Sequence, residues 1–209
     1  MSFSADKRIA KRIISLDRSP IELDTSVQKI VPVLRELRGK VLEIGPGPGN
    51  LFSYLDPGVT YVGLEPNLQL HPVLQAAINK NNISAASTVV GSAEQLPFAD
   101  AEFDAVVSVR SLCCMRDLDK ALAEIKRVLK PGGKFVFAEH VAAPKRTWRW
   151  YLQRLAIPLW RYRAGCSPAV DIGPAIEAAG FREVHIEPFR IGGRRNIVAR
   201  LRIFGTAVK

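Results

Sequence analysis

The stretch that decides the fold is VLEIGPGPGN, residues 41–50, in which three glycines at alternate positions follow a short apolar run. Residues 40–44 predict a buried β-strand that ends where the glycines begin. Glycine allows a ligand to approach the backbone closely, and Pro46 and Pro48 stiffen the loop. In an open α/β sheet, such a loop lies at the carboxyl ends of the strands, where ligands bind. The sequence therefore predicts a ligand site at this loop.

Short β-rich runs alternate with helical patterns beyond this loop. We predict strands at residues 40–44, 60–64, 86–90, 103–109 and 134–139, with helices at 50–55, 70–79 and 120–129. Two amphipathic helices, 6–16 and 25–37, precede the first strand. Strands that alternate with helices predict a parallel sheet with helices on both faces.

The pattern changes after the fifth strand. Residues 148–163 predict a helix with an aromatic stripe, and 171–179 a helix that ends at Gly180. Two β-rich runs, 183–189 and 197–208, flank Gly192-Gly193 and predict an antiparallel hairpin. The expected fold is α/β and Rossmann-like, a seven-stranded sheet of five parallel strands plus this hairpin. We expect one domain over 1–209, with a helical cap (1–39), a cofactor-binding core (40–140), a substrate lid (141–182) and the hairpin (183–209).

Composition narrows the class of protein. The 209 residues are 47% hydrophobic, and 30 Lys and Arg against 20 Asp and Glu give a net charge of +10. No apolar run approaches the roughly 18 residues of a membrane span, and residues 1–14 lack an apolar signal-peptide core. The three cysteines follow neither a disulfide framework nor a zinc pattern. A reducing, cytoplasmic setting without a bound metal is expected.

Positive charge is concentrated in the second half of the chain. Residues 145–163 hold six basic residues, no acidic residue and all three tryptophans, and residues 190–202 hold five more arginines. One interpretation is a set of solvated faces with an aromatic lid. The other is peripheral contact with an anionic membrane surface.

The glycine spacing separates two cofactor classes. A dinucleotide fingerprint requires a third glycine at position 50, where this chain has Asn50. Glu43, just before the loop, would repel a pyrophosphate but favours a cationic ligand such as a sulfonium. Glu65, at the end of the second strand, is placed to accept hydrogen bonds from ribose hydroxyls, although alone it could be a helix cap or a solvated carboxylate. Together these residues favour S-adenosylmethionine over a nicotinamide cofactor.

A resemblance supports this interpretation. Glu43-x-Gly45-x-Gly47-x-Gly49, followed by YVGLE at 61–65, resembles motifs I and II of class I methyltransferases. SAEQLPF at 92–98 resembles their adenine-bordering segment, with Ser92 in place of the usual Asp, while FDAVVSV at 103–109 resembles motif IV and LKPGG at 129–133 the turn before strand five. The resemblance implies S-adenosylmethionine as cofactor, S-adenosylhomocysteine as product, and contacts from Glu43, Gly45, Gly47, Gly49, Asn50, Glu65, Pro66, Ser92, Ala93, Glu94 and Val109.

A narrower resemblance extends almost to the end of the chain. EHVAA at 139–143, Thr147-Trp148, Pro158-x-Trp160, Gly165-Cys166 and GTAVK at 205–209 are similar to the membrane-associated alkyl-thiol methyltransferases, the methyltransferase-like 7 group. The resemblance implies a small lipophilic thiol as methyl acceptor. That group carries an apolar N-terminal anchor, whereas this sequence starts with a basic amphipathic segment.

The candidate acceptor residues follow strands four and five. His140 is the candidate general base, or else a buried histidine bonded to backbone. The candidate pocket residues are Arg110, Cys113, Trp148, Trp160 and Cys166. Adjacent cysteines 113 and 114 are also consistent with core packing.

Other functions stay open at this point. One alternative is O- or N-methylation of a lipophilic quinone or phenol, and another is a cofactor-binding regulator without activity. RNA methylation, suggested by the net charge, is disfavoured because the basic stretch matches no RRM or KH module. A nucleic-acid partner is therefore not expected.

Overall fold

The computed structural model describes residues 7–17, 25–81, 83, 85–191, 198 and 200–209. Its helices are α1 (Lys7–Asp17), α2 (Thr25–Glu36), α3 (His71–Lys80), α4 (Leu118–Val128), α5 (Trp148–Ala164) and α6 (Ile172–Ala178). Its strands are β1 (Lys40–Ile44), β2 (Thr60–Leu64), β3 (Ala86–Val89), β4 (Phe103–Val109), β5 (Leu129–His140), β6 (Arg182–Arg190) and β7 (Leu201–Val208). Short 3₁₀ turns occupy Phe52–Tyr54 and Leu112–Cys114.

The strands form one seven-stranded sheet in the order β3-β2-β1-β4-β5-β7-β6. Strands β1 to β5 are parallel, and β7 runs antiparallel to both β5 and β6. The predicted fold class is thus confirmed. The order reverses between β1 and β4, where Ile44 pairs with Ser108, so the ligand crevice of this architecture opens at the ends of these two strands.

Side-chain alternation along the central strands builds two cores, one on each face of the sheet. Val41 packs into the cluster that contains Leu34 of α2 and Leu74 of α3. Its neighbour Leu42 packs into the cluster that contains Leu122 of α4 and Ile176 of α6. Both faces are therefore covered by helices, and the strands are held rigidly under the crevice.

The predicted helix at 50–55 is wrong, because the segment forms only the 3₁₀ turn Phe52–Tyr54. The Phe52 ring turns inward under the loop and packs edge-on against Tyr61, with ring centroids 4.7 Å apart. Gly49 before the segment and Pro57-Gly58 after it leave too few residues for a regular helix. The segment is thus stabilised by burial of the Phe52 side chain rather than by the hydrogen bonds of a regular α-helix.

The bounds of the other predicted helices and of β1 to β4 and β6 agree within two residues, but β5 begins at Leu129 rather than 134. Leu129 already pairs with Phe103 across an irregular register, which extends the strand through the Pro-Gly-Gly turn. The Gly192-Gly193 turn and residues 197 and 199 of the predicted last strand lie outside the described residues, and β7 begins at Leu201, after Val198 and Arg200. Among the residues described, no helix combines the length and the apolar character needed to cross a bilayer.

Candidate active site

The glycine loop leaves β1 in a conformation that other residues rarely adopt. Gly45, Gly47 and Gly49 have φ values of 65°, 57° and 86°. The loop is tied to its neighbours by hydrogen bonds from Gly45 N to Leu64 O (2.9 Å) and from Gly49 N to Pro46 O (3.0 Å). A Cβ on Gly45 would lie 2.7 Å from the Cβ of Ser111. The loop therefore touches the turn after β4 directly.

Glu65 connects the loop to the end of β2. Its carboxylate is buried and accepts hydrogen bonds from Gly47 N (3.1 Å) and Asn67 N (2.8 Å). Burial raises the pKa of Glu65, and these two hydrogen bonds oppose the shift. A carboxylate has about four acceptor positions, so capacity for ligand hydroxyls remains.

Glu43 lies beneath the loop rather than at its surface. It is 4% exposed and accepts a hydrogen bond of 2.7 Å from the Tyr61 hydroxyl. Burial raises the pKa of Glu43 to about 7. Sequence reasoning treated Glu43 as a full negative charge, whereas in this environment the carboxyl is close to half ionised at neutral pH. A cation bound nearby would favour the ionised form.

The segment after β3 lies at the far end of the crevice. The Ser92 hydroxyl donates to the Glu94 carboxylate, which also accepts from Arg116 N at 2.8 Å, and Ala93 is buried in the core. Asn50, Pro66 and Val109 are half-buried at the ends of their loop and strands. These residues follow β1, β2, β3 and β4, whose carboxyl ends meet along one edge.

The turn after β4 is held by a residue that sequence reasoning did not assign to the site. Glu139 is fully buried, and its Oε1 accepts hydrogen bonds from Ser108 Oγ (2.7 Å), Ser111 N (3.0 Å) and Leu112 N (3.1 Å). The preceding Arg110 has a left-handed φ of 59°, a conformation that costs a non-glycine residue about 1 kcal/mol or more. Glu139 thus fixes a strained turn beside the glycine loop.

His140 and the cysteines meet at the end of β5. The Cys113 Sγ lies 3.8 Å from His140 Nδ1, and the Trp160 ring centroid lies 6.3 Å from that of His140. A hydrogen bond of 2.9 Å from Ser167 N to Cys113 O brings the segment after α5 to the turn after β4. Burial, followed by the charges of Arg202 and Arg110, holds the pKa of His140 well below its usual value.

Comparison with known proteins identifies the family. A family model described as "Methyltransferase domain" matches residues 42–137. Human thiol S-methyltransferase TMT1A is 33% identical over 172 residues, which cover 81% of this chain and 70% of that protein. The chain belongs to the class I S-adenosylmethionine-dependent methyltransferases. Human thiol S-methyltransferase TMT1B is 34% identical over 154 residues, 71% of this chain and 63% of that protein.

A solved structure shows the same fold in this class. Phosphoethanolamine N-methyltransferase 2 of Haemonchus contortus, in complex with S-adenosyl-L-methionine, superposes with a TM-score of 0.67 at 17% identity, covering 90% of this chain and 52% of that chain. This likeness shows the fold. Because the chain belongs to the class I S-adenosylmethionine-dependent methyltransferases, its methyl donor is S-adenosylmethionine, as the sequence predicted.

The loop residues fit this cofactor. Chain neighbours aside, a Cβ on Gly47 would have Ile13 Cγ2, at 3.6 Å, as its one contact within 4 Å among the described residues, so few side chains crowd the loop backbone here. Two buried carboxyls lie at the loop, Glu65 bonded to Gly47 N and Glu43 beneath the loop. Glu65 suits hydroxyl donors and Glu43 suits a positive charge. S-adenosylmethionine carries both kinds of group, ribose hydroxyls and a sulfonium.

Two helices of the methyltransferase contribute in ways the sequence did not reveal. Helix α1 lies over the loop through Ile13 and packs on α5, with the Arg8 guanidinium 3.9 Å from the Tyr162 ring centroid. Helix α5 is tied down by the buried Gln153, which accepts from Ala143 N at 2.6 Å and donates to Val198 O at 2.9 Å. The sequence predicted both helices, but not these contacts, because long-range packing decides where each helix lies.

The predicted pocket residues are only partly brought together. Cys113, Cys166 and Trp160 belong to or pack on one buried cluster beside His140, and Arg110 is an exposed residue at its edge. Trp148 is apart from them, because twelve helical residues place it about 18 Å along α5 from Trp160. It is 60% exposed and contacts the Arg149 guanidinium.

Proposed function

We propose that this methyltransferase methylates the sulfur atom of small lipophilic thiols. Relatives covering most of the chain are thiol S-methyltransferases by name. The observation that carries the proposal is the environment of His140, whose pKa is held well below its usual value beside Cys113. An acceptor at this place would meet a weak base and apolar surroundings.

The donor half of the crevice would hold S-adenosylmethionine through its carboxyls and backbone. In the proposed arrangement Glu65 accepts from the ribose hydroxyls, and the segment Ser92, Ala93 and Glu94 borders the adenine. Glu43 favours the positive charge of the ligand from beneath the loop. Gly45, Gly47 and Gly49 allow the backbone to approach it, and Asn50, Pro66 and Val109 complete the rim.

A weak base selects among acceptor classes. Bound S-adenosylmethionine supplies an electrophilic methyl group, and the acceptor must present a lone pair in line with it. A thiol with a pKa near ~8.5 is already a few per cent thiolate at neutral pH, whereas a phenol or ammonium near ~10 is ionised or deprotonated far less. Because His140 contributes little to proton removal, the acceptor with the lowest pKa, the thiol, is favoured. In this role His140 packs against the acceptor together with Cys113, Trp160 and Cys166.

A matched acceptor panel tests the proposal. Purified protein is given S-adenosylmethionine and an alkyl thiol, phenol or amine of equal carbon skeleton, and the methylated atom is identified by mass spectrometry. We expect the thioether as main product. We expect His140→Ala to reduce thiol methylation by less than about tenfold, since general bases contribute roughly 10²-fold or more where they are needed. The exposed His185 supplies the control variant His185→Ala. Preferential methylation of the phenol or amine would overturn the proposal.

We also propose that α5 contacts an anionic membrane surface. Its exposed large apolar side chains recur every three or four residues and so share one face: Trp148, Tyr151, Leu155, Leu159 and Tyr162. Leu155 alone is 80% exposed. Aromatic residues favour the membrane–water interface, and such a stripe would bury its apolar area there.

Positive charges flank this stripe on two sides. Exposed basic residues on α1 and α5 are Lys7, Arg8, Lys11, Arg12, Arg154, Arg161 and Arg163. Each basic residue near an anionic leaflet contributes about 1 kcal/mol. Another face of α5 carries Trp160, which packs beside His140, so the same helix borders the acceptor end of the crevice, which suits acceptors that partition into lipid.

Vesicle sedimentation tests this surface. We expect binding to vesicles that contain phosphatidylserine, weaker binding to phosphatidylcholine alone, and a decline with added salt. Leu155→Ser combined with Leu159→Ser should reduce binding about tenfold or more, because each leucine loses on the order of 1 kcal/mol of burial. The matched control is Leu68→Ser, since Leu68 is 53% exposed elsewhere. Equal binding of all three proteins would contradict the proposal.

A further inference from the structure

Three cysteine sulfurs converge beside the crevice. Cys113 and Cys114 lie in the 3₁₀ turn after β4, and Cys166 follows the left-handed Gly165 at the end of α5. The three Sγ atoms all lie within 4.8 Å of one another. The sequence spacing did not indicate a metal site, because two of the cysteines are adjacent and the third lies on a distant segment.

The separation of the sulfurs is close to that of a shared metal ion. With zinc–sulfur distances near ~2.3 Å, tetrahedral ligands lie about 3.8 Å apart. The sulfurs would therefore need to approach by about 1 Å or less, which side-chain rotation can provide.

The cluster lies in and at the edge of the core. Cys113 and Cys166 are buried, and Cys114 is half-buried. Ser111, which contacts the glycine loop at Gly45, precedes the cysteine turn, and Cys114 N donates to Ser111 O at 2.9 Å. The residue that contacts the methyl-donor loop, Ser111, is thus only two positions before Cys113 in the chain.

We infer that Cys113, Cys114 and Cys166 form a site for a thiophilic d¹⁰ cation, of which Zn²⁺ is the probe, with a fourth position open to the acceptor thiol. Three protein ligands and one open position are the pattern of catalytic zinc sites. A thiol that coordinates such an ion is deprotonated. The assignment of the fourth position to the acceptor thiol rests on the proposed thiol methylation.

A metal ion at this site would activate the acceptor thiol. The acceptor thiol loses its proton to solvent on coordination, and its sulfur lone pair forms the new bond to the methyl carbon. The bond from that carbon to the sulfonium breaks, and its electron pair leaves a neutral thioether on the donor. No oxidant or reductant is required.

Cobalt substitution tests the site in the full chain. Metal-free protein is titrated with Co²⁺ and then with Zn²⁺. We expect one equivalent of Co²⁺ to bind with sulfur-to-metal charge-transfer absorption and tetrahedral d–d bands, and Zn²⁺ to displace it. Cys166→Ser should weaken binding more than about 100-fold, beyond the loss of an outer-shell partner. Ser167→Ala is the matched control, since Ser167 and Cys166 are each 8% exposed.

Alkylation of the wild-type thiols with and without Zn²⁺ gives a second measurement that depends on no variant. We expect Zn²⁺ to protect all three cysteines. Absence of a bound equivalent, unprotected thiols, or full binding by Cys166→Ser would overturn the metal site.

An alkyl thiol added to the cobalt form distinguishes the two proposals. We expect the thiol to shift the d–d bands, and bands that do not move would overturn the open fourth position. We expect metal-free protein to methylate the thiol at least tenfold more slowly than the zinc form. Equal rates would overturn the activating role while thiol methylation itself stands. Failure of both forms to methylate thiols would instead overturn the proposed function, with the cobalt spectra still reporting on the site.

Discussion

The two sides of the crevice are built in different ways. On the β1–β2 side, Glu43, Gly47 and Glu65 lie within one strand–loop–strand unit, and Glu65 is held by backbone N–H groups of that unit. On the β4–β5 side, the turn after β4 is held by Glu139 from β5, and Cys113 meets Cys166 from beyond α5. The donor side is thus a local structure, whereas the acceptor side exists only when distant segments pack together.

This difference matches the division of labour in the enzyme. A cofactor common to a class of enzymes suits a site specified by a short motif, because the motif carries its geometry with it. An acceptor site assembled from separate segments can change one segment at a time, which is how one fold serves many substrates.

The largest expected effect comes from Glu65→Ala on the donor side. The change leaves Gly47 N and Asn67 N without their acceptor and removes the proposed ribose contact. Hydrogen bonds to a charged group contribute about 1.5–3 kcal/mol each, so S-adenosylhomocysteine affinity should fall more than about 100-fold by calorimetry. Glu102→Ala, which removes the partly exposed ion pair with Lys40 and a hydrogen bond from Ala99 N, should change affinity less than about threefold, because both contacts lie away from the loop. Unchanged affinity in Glu65→Ala would show that the local unit does not hold the cofactor.

Glu139→Ala tests the acceptor side. Three buried donors, Ser108 Oγ, Ser111 N and Leu112 N, lose their acceptor, which should lower the free energy of unfolding by about 3 kcal/mol in urea titrations. Glu139→Gln keeps an acceptor oxygen and should cost only about 1 kcal/mol. If both variants lose the same free energy of unfolding, the negative charge of Glu139 rather than its acceptor oxygen stabilises the turn.

Gly45→Ala tests the contact between the two sides. An alanine here must adopt a φ near 65° and place its Cβ 2.7 Å from that of Ser111. Gly132→Ala is the matched control, because Gly132 has a φ of 76° but, chain neighbours aside, no atom of the described residues lies within 4 Å of its Cβ position. The control should lose about 1 kcal/mol of stability and Gly45→Ala about 2–3 kcal/mol. Equal losses of stability in the two variants would mean that Ser111 can shift away from the new methyl group at little cost.

The smallest expected effect is a pH dependence of cofactor binding. Because the pKa of Glu43 is about 7, its carboxyl gains a proton as the pH falls through that value and loses its attraction for a cation. Affinity for S-adenosylmethionine should therefore decrease about threefold between pH 8 and pH 6, on the order of 0.6 kcal/mol. Glu43→Gln, which keeps an acceptor for Tyr61, should flatten this dependence. An equal slope in the variant would assign the titration to another group.

The protonation of Glu43 also makes the stability of the fold depend on pH. Urea unfolding at several pH values measures this dependence. Its folded pKa lies above the unfolded value, so the folded state binds the proton more tightly. The contribution of Glu43 to stability is thus complete below pH 4.5 and is lost as the pH rises through about 7. Glu43→Gln should be less sensitive to pH over this interval.

The sequence was informative where the structure is local. Alternating glycines, a preceding strand and an acidic residue at the end of the next strand are all encoded within residues 40–65, and β1, β2 and β4 have the predicted bounds. The 50–55 segment was mispredicted because burial of Phe52 against Tyr61, a contact between segments, decided its conformation. Local propensity does not encode such a contact.

The acceptor side shows the same limit more strongly. Glu139 occurs within a buried strand, where its three hydrogen bonds to the neighbouring turn leave no pattern in the sequence. Trp148 and Trp160 look equivalent as aromatic residues of one helix, yet only Trp160 lies beside His140. The three cysteines became a cluster only through the packing of the segment after α5 against the turn after β4.

The pH profile of methyl transfer with two alkyl thiols of different pKa tests the central claim most directly. If the acceptor is a thiol that needs no strong protein base, the midpoint of kcat/KM should differ between the two substrates and follow the thiol with the lower pKa to lower pH. His140→Ala should leave both midpoints in place. A single midpoint shared by both thiols and abolished in His140→Ala would contradict the account, because His140 would then be the base that the reaction requires.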